Sequence, residues 1–132
     1  MIRIAAACAL ACLTLTPSAV SAQQAGNNWV QVLLDRGVSM EIDVASVRTK
    51  GALRTIPVRM VAATSPRSME MTFAVDCAAQ TVGIDGDTRS YENGKLTGTE
   101  TPPEDARAQQ SVTGAPEFEK VIELTCAAKL KS

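Results

Sequence analysis

The chain of 132 residues contains no histidine. Its absence removes the Ser-His-Asp and Cys-His constellations, the usual nitrogen ligand of zinc, and the side chain that most often acts as a general base near neutral pH. Aromatic residues are almost as scarce, at 3%: Trp29, Phe73, Tyr91 and Phe118. Four rings are too few to build the platforms on which bases or sugars stack, and the core has to be made of Val, Ile, Leu, Met and Ala. No apolar run approaches the roughly 20 residues that a membrane-spanning helix needs. Cysteine is limited to four, and Cys8 and Cys12 fall in the first dozen residues, leaving Cys77 and Cys126 for the rest of the chain.

The first 22 residues differ in kind from the remainder of the chain. Arg3 supplies a short positive start, residues 4–15 an apolar run, and Val20-Ser21-Ala22 a small-residue cleavage site, the pattern of a secretory signal peptide. Residues 23–132 are then expected to form a single domain, periplasmic or secreted. Ala9-Leu10-Ala11-Cys12 is a loose version of the box that precedes the acylated cysteine of bacterial lipoproteins, with its leucine one place late. An outer-membrane lipoprotein tethered at Cys12 is the lesser alternative. In an exported chain the one available pair, Cys77 and Cys126, is expected to be oxidised, with two buried free thiols as the alternative.

Residues 69–77 organise the mature domain. Met69, Met71, Phe73, Val75 and Cys77 alternate with Glu70, Thr72, Ala74 and Asp76, which is the period of a half-buried strand. Similar alternation runs through residues 29–34, 38–44 and 53–63, and Pro57, which cannot donate to a ladder, argues for an edge or a bulge in the last of these. A further strand is expected over residues 80–92, with a bulge at Asp85-Gly86-Asp87, and Asn93-Gly94 should return it through a tight hairpin into residues 95–101. Residues 101–114 have no period and read as a crossing connection.

From Pro116 the period changes to 3.6. Phe118, Val121, Ile122, Thr125 and Cys126 share one helical face, Glu117 and Glu119 suit the positive end of the dipole, and Lys129 and Lys131 the negative end. A helix is expected here, although Ile122, Leu124 and Cys126 also alternate as a final strand would. The fold class is therefore α+β: an antiparallel β meander of about six strands, a C-terminal α-helix packed on one face, and one disulfide.

In order and spacing, these features resemble the surface-adhesin protein E family of bacterial exported proteins. The matching residues are Trp29-Val30, Ile42-Asp43 with Ser46-Val47, Gly51, Ser68 before the alternating strand, Asp76-Cys77, Tyr91 with Asn93-Gly94, and Cys126 on the terminal helix. The resemblance spans nearly all of residues 23–132 and implies a small antiparallel sheet tied to its helix by the Cys77–Cys126 bond. It also implies a role at the cell envelope, the name-giving members being outer-membrane adhesins for host matrix proteins. A second tryptophan after the hairpin is absent from residues 95–132.

The charge pattern supplies the candidate site. Between Asp43 and Glu70 there is no acid and there are five bases, Arg48, Lys50, Arg54, Arg59 and Arg67, whereas Glu70 to Glu123 carries eleven acids against four bases. A patch of those five would suit an anionic partner, such as a lipid phosphate, an acidic glycan or an acidic protein surface. The competing reading is a solvated strand face whose charges keep a sheet edge from pairing with other chains. Beyond Arg3 the chain has 12 bases against 14 acids, so nucleic acid is not expected.

Asp85-Gly86-Asp87 with Glu92 lacks the ligand count of a calcium loop. Met40, Met60, Met69 and Met71 fall at strand spacing and read as core filler rather than a metal or redox site, and Trp29 as core or a lid over the helix rather than a ligand platform. No cofactor or metal is implied and no enzyme is expected. The functional expectation is a non-catalytic envelope or surface binding module. The alternative is a soluble periplasmic inhibitor or partner of another envelope protein.

Overall fold

In the computed structural model, residues 29–130 are described; the expected signal peptide, Cys12, the polar lead-in to Trp29 and Lys131 lie outside them. The long central pair is β4 (Leu53–Ala62) against β5 (Arg67–Asp76). Each strand puts one apolar set on the same side of the sheet, with Ile56 opposite Phe73, Val58 opposite Met71 and Met60 opposite Met69. Burying that side removes Ile56, Val58 and Val75 from solvent completely.

Around this pair the chain adds β1 (Trp29–Asp35), β2 (Val38–Asp43), β3 (Arg48–Lys50), β6 (Thr81–Ile84), β7 (Thr88–Glu92), β8 (Lys95–Glu100) and β9 (Gln110–Ser111). All pairings are antiparallel, and the nine strands of the described residues form a half-barrel in the order β1-β2-β4-β5-β6-β9, with β7 and β8 continuing beside the other half of β5. Two hairpins close through residues of positive φ, at Arg36-Gly37 and at Asn93-Gly94. Left-handed conformation at both central positions matches the twist of the flanking strands.

Nine strands replace about six for identifiable reasons. The single strand expected over residues 80–92 is divided at Asp85-Gly86-Asp87: Ile84 pairs with Phe73 and Arg89 with Glu70, so five steps of one strand answer three of the other. The two surplus residues leave the ladder, and Gly86 takes a φ of 76°. The remaining two, β3 and β9, are too short for alternation to declare them.

Pro57 sits in a strand with neighbours on both sides, which corrects the expected edge. Thr72, opposite Pro57, accepts a hydrogen bond at its carbonyl from the Asp85 N–H on the far side of β5. The Pro57 nitrogen therefore points away from β5, because backbone groups of directly opposed residues turn together towards or away from each other. On that side β2 covers Val58–Ala62 and β3 covers Leu53–Thr55, with a gap between them. A 3-10 turn (Val44–Ser46) fills the interruption, held by Asp43, whose buried carboxylate accepts from the Ala45 N–H and the Ser46 hydroxyl. A residue with no N–H costs nothing where no ladder partner exists.

The terminal segment is helical: α2 (Pro116–Ala127) follows a short α1 (Glu104–Arg107) in the crossing connection. Proline at the first position and acids in the first turn favour its start. Val121, Ile122 and Thr125 are buried against the concave side of the sheet, and Phe118 meets Phe73 with ring centroids 5.9 Å apart. Cys126 on the last turn bonds Cys77 just beyond β5, so the helix is fastened to the central strand across 49 residues of sequence. In the chain-entropy account, closing that loop stabilises the fold by about 4 kcal/mol.

Candidate functional site

The five basic residues do not form one patch. Strand parity puts Arg54 on the concave side with Ile56 and Val58, and its guanidinium Nη1 donates to the carbonyls of Thr125 (3.1 Å), Cys126 (3.0 Å) and Ala128 (3.2 Å). Arg54 thus caps the C-terminus of α2, the place at which lysines beyond the helix were expected to act; no basic residue lies in the last turn. That one nitrogen, Nη1, serves carbonyls at the helix end that have no partner within the helix.

The other four are dispersed as well. Lys50 pairs with Asp85 at 2.6 Å, Arg67 lies at the far end of β5 at 3.9 Å from Glu92, and Arg59 pairs with Glu41. Among the described residues, only Arg48 of the five has neither an ion pair nor a hydrogen bond from its side chain. Arg59 belongs to a row that crosses the convex face in register: Gln31, Glu41, Arg59, Glu70, Arg89 and Thr99. Opposite charges at adjacent cross-strand positions attract, so this row neutralises itself. Trp29 lies on the same convex face, with the Arg59 guanidinium 4.4 Å from its ring centroid, a cation-π base rather than a lid over the helix.

The concave side is only partly covered by α2. α2 covers the end built from Ile42, Ile56, Val58 and Val75 and leaves the other end uncovered as a trough. Two adjoining hollows of about 490 Å³ each open there and share Met60. One has an apolar floor of Leu33, Met40, Met71, Phe73 and Ile84 beside Phe118; the other passes Val38 and Met69 and reaches Ser90 and Thr97. Met69 is 38% exposed, so the methionines read as core filler divide: Met40 is buried, Met60 and Met71 are half-buried, and Met69 faces solvent.

Beside the trough lies β8, all six of whose residues are exposed and whose only ladder partner among the described residues is β7. Its outer backbone edge has no partner among the described residues. Sequence reasoning missed this arrangement, although one signal was present. Met40, Met60, Met69 and Met71 all belong to core-facing parities, and nothing in the helical face of residues 118–126 is long enough to cover every one of them.

The acids of Asp85-Gly86-Asp87 are occupied, Asp85 by Lys50 and Asp87 by the Thr101 hydroxyl at 2.9 Å. No group of three or more His, Cys, Asp or Glu side chains is placed to hold a metal ion among the described residues. No helix among them is long and apolar enough to cross a membrane. No family model, no curated protein and no solved structure matches the chain.

Proposed function

We propose that the protein is a non-catalytic binding module of the bacterial cell envelope, similar in role to the protein E adhesins. In this reading an extended apolar segment of a protein partner lies along β8 and sends alternate side chains into the trough. The observation that carries it is the adjacency of an exposed edge strand, whose outer side has no ladder partner among the described residues, and a hollow that β8 itself helps to line through Thr97 and that leads past Met60 to the apolar floor. Strand addition uses both parts: main-chain hydrogen bonds provide affinity, and pockets for every second side chain provide specificity. Methionine suits such a floor because its unbranched, polarizable side chain adapts to different apolar partners. The five bases are dispersed, Arg54 inward against the helix and Arg67 at the rim of the trough, so the reading rests on the concave face rather than on a basic patch.

The test is photo-cross-linking with p-benzoylphenylalanine placed at Thr97, and, as a control on a distant strand, at Arg48, in cells that export the protein. One stoichiometric species captured from position 97, absent from position 48 and lost on Met60→Glu, supports the reading. Equal capture from both positions, or capture unaffected by Met60→Glu, overturns it. Where the captured species is a periplasmic enzyme, the inhibitor role is favoured over adhesion; where it is a host matrix protein, the adhesin role is.

A further inference from the structure

The register of the neighbouring strands β2, β4 and β5 places Met40 directly opposite Met60, and Met60 directly opposite Met69. Three thioethers therefore stand in one cross-strand row on β2, β4 and β5. Directly opposed residues of an antiparallel pair hold their Cβ atoms about 4.5–5.5 Å apart, a gap that a side chain with three rotatable bonds spans easily. Met71 stands two residues from Met69 on the same face of β5. All four of these side chains line the trough, Met60 at the junction of its two hollows.

We propose that Met40, Met60 and Met69, with Met71 as a fourth sulfur within reach, form a binding site for copper(I) at the open end of the trough. Thioethers are soft, uncharged ligands and select a soft monovalent cation. Single carboxylates, Glu92 and Glu117, border the two hollows one each, but they assemble no harder donor set there. The chain has no imidazole, Cys77 and Cys126 are consumed in their disulfide, and no carboxylate cluster is built among the described residues. Zinc, copper(II), magnesium and calcium, which require nitrogen, thiolate or oxygen donors, are therefore excluded by the donor set itself.

Packing offers a competing account, because methionine also fills irregular core gaps. It accounts for Met40 in the core and for Met60 and Met71 packed against it, but not for Met69 in the same row. A gap-filler is enclosed by its neighbours, whereas Met69 is 38% exposed and Met60 borders both hollows. The ion would enter from solvent over Met69 and come to rest above Met40, which is 4% exposed. Binding is simple coordination and involves no electron transfer. The site shares the trough with the proposed peptide groove, but its test needs no protein partner, so either reading survives the failure of the other.

The experiment uses the full chain with the disulfide intact and the thiols of Cys8 and Cys12 blocked by N-ethylmaleimide. It is titrated with silver(I) as a redox-inert probe, and with copper(I) held reduced by ascorbate against bathocuproine disulfonate. Methionine methyl groups labelled with carbon-13 report which sulfurs bind. One equivalent is expected to bind, shifting the methyl signals of Met40, Met60 and Met69 while that of Met1, which is no part of the proposed site, stays in place.

Loss of even an outer-sphere partner lowers metal affinity by about 10–100-fold, so Met60→Leu is expected to weaken copper(I) binding roughly a hundredfold. Leucine nearly conserves the volume of methionine, and Met69→Leu, at an exposed position, serves as a second variant should Met60→Leu fail to fold. Uptake that is unchanged in either folded variant, shifts confined to Met1, or displacement of the bound ion by zinc would overturn the proposal.

Discussion

Replacing Arg54 by alanine should destabilise the protein far more than replacing any other base of the run between Asp43 and Glu70. The guanidinium Nη1 carries two protons and faces three carbonyls, those of Thr125, Cys126 and Ala128, at 3.0 to 3.2 Å. A hydrogen bond to a charged group is worth about 1.5–3 kcal/mol; three contacts sharing two protons do not add. A cation at a helix C-terminus contributes up to about 2 kcal/mol in partly buried geometry, and this overlaps the same contacts. The expected cost of Arg54→Ala is about 2–3 kcal/mol, or roughly 10–20 °C in Tm for a domain of this size. Arg54→Lys retains the charge on a shorter, flexible stem and should recover about 1 kcal/mol.

Thermal and urea unfolding, followed by far-UV circular dichroism on the oxidised protein, measure these differences. Arg48→Ala, on exposed β3, is the control and should stay within about 0.5 kcal/mol of the parent. In 1 M NaCl the screening length falls to about 3 Å, which should erase the contribution of the solvent-facing Lys50–Asp85 pair but leave most of the Arg54 effect, because Arg54 is half-buried against the carbonyls it serves. An Arg54→Ala variant no less stable than Arg48→Ala, or an effect that vanishes in high salt, would refute the capping argument.

Packing sets three further outcomes. A Cβ at Gly83 would lie 2.6 Å from the Arg107 carbonyl oxygen and 3.0 Å from that of Ala108, both backbone atoms, so Gly83→Ala should cost about 1–3 kcal/mol by urea unfolding; Gly98→Ala, with open space around it, should cost far less. The hydroxyl of Thr125 is fully buried without a hydrogen-bond partner among the described residues, and Thr125→Val should raise stability by about 1 kcal/mol in the same assay. Removing the bridge by Cys77→Ala with Cys126→Ala should lower stability by about 4 kcal/mol; a loss below 1 kcal/mol would show that the 49-residue loop is already constrained in the unfolded chain.

Alternation determined much of this molecule without help from tertiary structure. The period of two in residues 69–77 and 53–63 set which side chains face the core, Asn93-Gly94 set a hairpin, and the switch to a period of 3.6 after Pro116 set the helix and its buried face. Each of these depends on residues close together in the chain, where backbone geometry ties spacing to direction. Cysteine counting reached the Cys77–Cys126 pair because only one pairing was available once Cys8 and Cys12 were set aside.

Features that depended on distant partners were decided only by the tertiary structure. The run of five bases is contiguous in sequence, yet strand parity sends Arg54 inward and Arg59 outward, and the register hands each a partner from another strand or from the helix. The position of Pro57 could not be inferred, because the gap that tolerates it belongs to the junction of β2 and β3 rather than to its own strand. The trough obeys the same logic. Core-facing parity marked the four methionines as buried, but a helix of twelve residues covers only one end of a half-barrel this wide, and the methionines at the other end remain within reach of solvent.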